Sequence, residues 1–243
     1  RRHSAMQVAG ERHFRDFRND TVLDIRQFQM AFRKLRQFSS RIEAPKTELD
    51  IDSTISETCD NAGNLKVVYQ RPRKNTVKVL LLMDSGGSMD YYNNLCSALF
   101  QAVQKSSHFK DLKVYYFHNC IYSMLYKDPY CMYGNWVETE WVLKNISSDY
   151  KVIIVGDASM EPSELYGRSY YNYGARTDTP GIEYLKRFKA KYKNLVWLNP
   201  IVDMGWRTGY WRQTYDALKK EFDMYPLTVQ ALDKAIKKLL VSK

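Results

Sequence analysis

The sequence predicts an α/β protein: a Rossmann-like open, mostly parallel sheet with helices on both faces, preceded by a helical amino-terminal extension. Three observations carry this expectation. From about Leu65 onward, apolar runs of strand length alternate with segments of helical period. Two of those runs, VLLLMD at 79–84 and VIIVGD at 152–157, end in an aspartate, where an open sheet gathers its ligands. The first 64 residues are different, basic and mainly helical in pattern. We therefore expect an extension over 1–64 that packs onto a main domain over 65–243, because one amphipathic helix buries too little to stand alone.

Each element follows from its residues. Positions 1–20 are rich in Arg and His and weakly patterned. From Asp24, the residues Ile25, Phe28, Phe32, Leu35 and Phe38 recur at spacings of three and four, with Arg26, Arg33, Lys34 and Arg36 mostly off the stripe. That is an amphipathic helix, and Pro45 lies beyond its end. Thr54 to Ala62 predicts a short helix closed by Gly63. LKVVYQ (65–70) reads as a strand, RPRKN as a turn, and TVKVLLLM (76–83) as a strand buried on both faces. Met89 to Ser106 has helical spacing through Leu95, Leu99 and Val103.

LKVYYF (112–117) and IYSMLY (121–126) predict two neighbouring strands joined tightly around His118-Asn119. The loop DPYCMYGN leads to a helix over VETEWVLKNI (137–146), followed by the buried strand YKVIIV. A tyrosine-rich connection, YGRSYYNYGARTD, precedes Thr179-Pro180, which starts a helix carrying Ile182, Leu185, Phe188 and Tyr192. NLVWLNP is the last strand candidate, and WRQTYDALKKEF and VQALDKAIKKLL supply carboxy-terminal helices.

Composition bounds the function. At 44% hydrophobic and 26% charged, the 243 residues suit an ordinary folded protein. The net charge of +10 invites a nucleic-acid or anionic-surface reading, yet the charges are scattered and form no block. No apolar run approaches a membrane span, and the opening RRHSAMQVAG has no apolar h-region, so no signal peptide is expected. Cys59, Cys96, Cys120 and Cys131 lack zinc spacing and read as buried reduced thiols, which favours a cytoplasmic location.

The chemistry sits in DSGGSM, residues 84–89. Asp84 and Asp157 end two strands that, as parallel neighbours, bring their carboxylates to one rim. Two such acids repel unless a cation neutralises them. Ser88 adds a hydroxyl, and Gly86 and Gly87 let the loop curl. Carboxylate, hydroxyl and water form a hard-cation ligand set; magnesium suits it, with manganese or calcium as alternatives.

This pattern resembles the metal-ion-dependent adhesion site of the von Willebrand factor type A (VWA) domain, whose motif is D-x-S-x-S, then T, then D. Asp84 falls on the first acid, Ser88 on the second serine, Thr139 on the threonine and Asp157 on the last aspartate. Gly86 stands where the motif has its first serine, which removes one hydroxyl; Ser85, one position earlier, should point elsewhere. TVLDIRQFQMAFRKLRQF, STISETCDNAG and VYQRPRKNTVKVLLLMDSGGSM are similar to the bacterial CoxE-like group. The resemblance implies a non-enzymatic interaction module, partnered by a MoxR-type AAA+ ATPase in protein remodelling or maturation. It also implies a cation whose open position a partner's Asp or Glu fills. Ser85, Gly86, Tyr133, Trp136, Ser159 and Tyr171 are the loop positions expected to meet that partner.

Blander readings stand beside this one. Either acid alone suits a helix cap, as does Thr139. The loop lacks the lysine of a phosphate-binding P-loop, and no G-x-S-x-G is present. Asp84 as an acyl-phosphate nucleophile has no downstream lysine in an obvious strand-end position. The loop tyrosines Tyr126, Tyr130 and Tyr133, and later Tyr166, Tyr170, Tyr171 and Tyr173, suit recognition as well as loop packing. With Arg168 and Arg176 among them they would also stack bases, so binding of nucleic acid, RNA in particular, is the rival function.

Overall fold

The computed structural model describes residues 25–36, 40–41, 45–71, 73–74, 77–105, 109–168, 170–172, 175–202 and 208–240. The apolar run of the opening motif forms strand β1 (Lys78–Asp84). Val79, Leu80, Leu81 and Leu82 are fully buried, because the strand lies mid-sheet with helices on either side. Its side chains alternate between two cores. Leu80 and Leu82 join one core; Val79, Leu81 and Met83 join the other.

Around β1 the sheet adds β2 (Asp111–Phe117), β3 (Met124–Tyr126), β4 (Trp136–Glu138), β5 (Lys151–Val155), β6 (Leu195–Asn199) and β7 (Met224–Pro226). The spatial order is β7-β6-β5-β1-β2-β3-β4. β7, β6, β5, β1 and β2 run parallel, while β3 pairs antiparallel with both β2 and β4. This is the mostly parallel, open α/β sheet that the alternating pattern predicted.

The helices are α1 (Ile25–Arg36), α2 (Ile51–Asp60), α3 (Asn93–Lys105), α4 (Thr139–Asn145), α5 (Pro162–Tyr166), α6 (Gly181–Lys191), α7 (Tyr210–Glu221) and α8 (Val229–Leu240). Val142 of α4, Leu185 and Phe188 of α6 and Leu218 of α7 cover the Leu80 face. On the Val79 face lie α1, α3 and α8. Phe28, Phe32 and Leu35 of α1 are fully buried there, so the predicted stripe is a true core face.

Several expectations are corrected. The helix read over 137–146 begins only at Thr139, because Trp136–Glu138 pairs with β3 as the edge strand β4. β7 follows what the sequence offered as its last strand; it is three residues long and only half-buried, too short for a periodicity signal. The segment after Asp84 first makes a 3-10 turn over Gly87–Tyr92, and α3 starts at Asn93. α2 spans Ile51–Asp60 rather than 54–62, capped by the Asp50 side chain on the Ser53 N–H. Of LKVVYQ only Tyr69–Gln70 is paired, with Glu48–Leu49. Arg73–Lys74, within the expected turn, pairs with Ser40–Arg41. The tyrosine-rich connection contains a ladder of Tyr170–Asn172 with Ala175–Thr177. Tyr126 belongs to β3 and is buried rather than in a loop, and Cys59 is exposed rather than buried. Residues 1–24, Phe38 and Tyr173 lie outside the described residues.

Candidate functional site

The chain leaves β1 toward β2 on one side and later returns to β5 on the other, which makes the β1/β5 boundary a topological switch point. Asp84 is the last residue of β1, and Asp157 lies two residues past β5. The parallel register sets Met83 beside Val155. Both acids are buried, Asp84 at 6% exposure and Asp157 at 1%. Gly156 lies between them: a Cβ there would stand 2.9 Å from Asp84 Cβ and 3.2 Å from its Oδ2.

Asp84 Oδ1 accepts backbone N–H groups from Gly86 (2.8 Å) and Asn119 (2.9 Å). Burial, followed by the charge of Asp157, nevertheless pushes its carboxyl from 3.8 up to about 7. The two N–H groups oppose that rise, and Glu164 adds a smaller upward push. Asp157 Oδ1 accepts from the Ser159 N–H at 2.9 Å, and the intervening Ala158 takes a left-handed φ of 57° to close that turn.

The other predicted positions divide. Ser88 lies in the 3-10 turn, half-buried, with no side-chain hydrogen bond among the described residues. Thr139 opens α4 and is wholly buried; its N–H donates to Ser123 O (2.8 Å) and its Oγ1 to Tyr122 O. No hydrogen bond joins Thr139 to Asp84. Ser85 is turned aside, donating from Oγ to Phe117 O (3.1 Å) and resting 3.2 Å from Cys131 Sγ. Tyr133 is exposed at the tip of the 127–135 loop, and Trp136 is half-buried on β4. Tyr171 pairs through its backbone with Arg176.

Two residues at this rim escaped the sequence reading. Asn119, also left-handed at φ 60°, donates from Nδ2 to Glu164 Oε1 at 2.7 Å. Glu164 is buried and completes a capping box with Glu161 at the start of α5. Its other oxygen accepts the Glu161 N–H (2.8 Å), and its backbone oxygen accepts the Tyr122 hydroxyl (2.8 Å). The E-P-S-E sequence following Asp157 signalled the cap, but nothing in one dimension joined it to Asn119.

The donors present suit a hard cation. Ser159 Oγ is buried with no hydrogen-bond partner among the described residues, the orphaned oxygen expected where a ligand completes a site. A Cβ at Gly86 or Gly156 would run into Asn119 Oδ1 or Asp84, so both positions let the rim close around the acid. Among the described residues, no group of three or more His, Cys, Asp and Glu is arranged to hold a metal. Asp84 and Asp157 with neutral oxygens beside them are the oxygen ligands that a hard cation would use here.

Residues 23–124 match the family model described as VWA domain containing CoxE-like protein. This segment is similar to CoxE-like VWA domains. The match takes in α1, α3, Asp84 and Ser88, and it stops short of Thr139 and Asp157. Neither the curated proteins nor the solved structures give a match. The match supports a protein-interaction module. No helix among the described residues is long and apolar enough to cross a membrane.

Proposed function

We propose that this VWA domain is a divalent-cation-dependent protein-interaction module, working in a reducing cytoplasm with a MoxR-type AAA+ ATPase in protein remodelling or maturation. The observation that carries the reading is the pair Asp84 and Asp157, buried at one switch point, where burial first and their mutual repulsion second raise the Asp84 carboxyl to about 7. A hard cation converts that repulsion into attraction. Asp84, Ser88, Thr139 and Asp157 would hold it, Mg2+ first and Mn2+ or Ca2+ as substitutes. Once bound, the ion supplies an open position for a carboxylate of the partner protein.

The surroundings suit such a partner. A cleft of about 670 Å³ opens beside Asp84, lined by Met89, Phe100, Tyr116, His118 and Tyr130 among others. Exposed Tyr91, Tyr130, Met132 and Tyr133 crowd the loops nearest the motif, and tyrosine buries large area at small entropic cost. The division into an extension over 1–64 and a main domain over 65–243 remains part of this proposal. The burial of Phe28 and Phe32 in the sheet core supports an extension that packs on the main domain.

The test is calorimetric binding of a MoxR-type ATPase with and without EDTA, repeated with Asp84→Ala. Binding should vanish on chelation and in the variant. Chelator-insensitive binding overturns the reading. Capture of RNA that weakens steeply with salt and ignores EDTA would favour the nucleic-acid alternative.

A further inference from the structure

Resting on the cation site above, we propose that Asn119 is a further ligand of that site. Its side-chain amide oxygen replaces the motif's first serine, and Gly86 is the residue that makes room for it.

A Cβ at Gly86 would lie 1.9 Å from Asn119 Oδ1 and 3.0 Å from its Cγ. The amide oxygen thus occupies the volume that a serine at 86 would need. It also lies beside the first acid, since the same Cβ would be 3.2 Å from Asp84 Oδ1. A serine at 86 and this placement of Asn119 exclude each other sterically. The departure from the motif and the presence of Asn119 are two halves of one exchange.

The oxygen is held in place from three directions. The Asn119 N–H donates to Asp84 Oδ1, which fixes the backbone against the acid. The left-handed φ of 60° is one that asparagine tolerates better than most residues. Nδ2 donates to Glu164 Oε1, so Oδ1 is the opposite end of the amide; turned over, it would set two acceptors 2.7 Å apart. Glu164 is itself anchored by the Glu161 N–H, which makes it a positioning residue. No described group donates a hydrogen bond to Asn119 Oδ1. Asn119 Oδ1 thus lies beside the Asp84 carboxylate without a donor of its own among the described residues, and a cation would supply the missing partner. Asparagine carbonyls are ordinary ligands of hard cations.

The experiment is Mn2+ and Mg2+ titration calorimetry on the full chain, comparing wild type, Asp84→Ala, Asn119→Gly, Gly86→Ser and the double variant Gly86→Ser/Asn119→Gly, with circular dichroism melts of each. Glycine accepts the left-handed backbone, so Asn119→Gly removes the oxygen and keeps the turn. It should weaken cation binding by at least the order of tenfold that even an outer partner of a metal ligand costs. Gly86→Ser should also weaken binding by dislodging the amide, and the double variant should recover most of the affinity. Wild-type affinity in Asn119→Gly, with binding abolished in Asp84→Ala, overturns the Asn119 assignment and leaves the cation site standing. So does a double variant no better than Asn119→Gly. A wild type that binds neither ion overturns both.

Discussion

Asp84→Asn should stabilise the cation-free protein by an amount that depends on pH. The Asp84 carboxyl rises from 3.8 to about 7 on folding, so between those values the folded chain keeps a proton that the unfolded chain has released. Stability is therefore fully present below the unfolded value and is lost as pH climbs through the folded one. At about 1.4 kcal/mol per unit, the penalty approaches roughly 4 kcal/mol above pH 7, of which about 3 kcal/mol develops between pH 5 and pH 8. Asparagine retains an oxygen to accept the Gly86 and Asn119 N–H groups while removing the charge. The assay is urea unfolding in EDTA at both pH values, for wild type and variant. Taking the difference removes titrations common to both, including that of His118, whose imidazole burial holds below its usual value. The variant's advantage should grow by about 3 kcal/mol from pH 5 to pH 8, and saturating Mn2+ should abolish it. A pH-independent difference, or an Asp84→Asn variant less stable than wild type at pH 8, would refute the reasoning.

Phe32→Ala should destabilise the whole domain by about 3–5 kcal/mol in chemical unfolding, as for a fully buried aromatic in a packed core. Gly156→Ala puts a Cβ 2.9 Å from that of Asp84; we expect a loss of about 1–3 kcal/mol together with weaker cation binding by calorimetry. Tyr130→Ala with Tyr133→Ala should leave the melting temperature unchanged and reduce partner affinity in the same calorimetric assay, since both side chains are exposed. Thiol labelling of the native chain should modify Cys59 rapidly and Cys96, Cys120 and Cys131 only on unfolding. Burial shields these three and raises their thiol pKa values, that of Cys96 to about 12.

Much of this molecule is legible along the chain because burial on both faces of a parallel sheet leaves uninterrupted apolar runs. β1, β5 and β6 are such runs, and the stripes of α1, α6 and α8 mark the helices that cover them. The acid at the end of β1 and the one just past β5 were equally plain, since both follow their strands directly in sequence. Short edge elements were not. β4 and β7 have three residues each, and their pairing is decided by what lies beside them, so VETEWVLKNI read as helix throughout.

By itself the sequence determined the layered α/β architecture, the place of Asp84 and Asp157, and the gap that Gly86 leaves in the motif. Local periodicity and composition settle those features. Only the tertiary structure decided what fills the gap. Asn119 is 35 residues from Asp84 and Glu164 a further 45 from Asn119, and no sequence pattern links them. They meet because β1 and β2 run parallel and end at one rim, where α5 begins, and a Cβ at position 86 would need the space that the Asn119 oxygen holds.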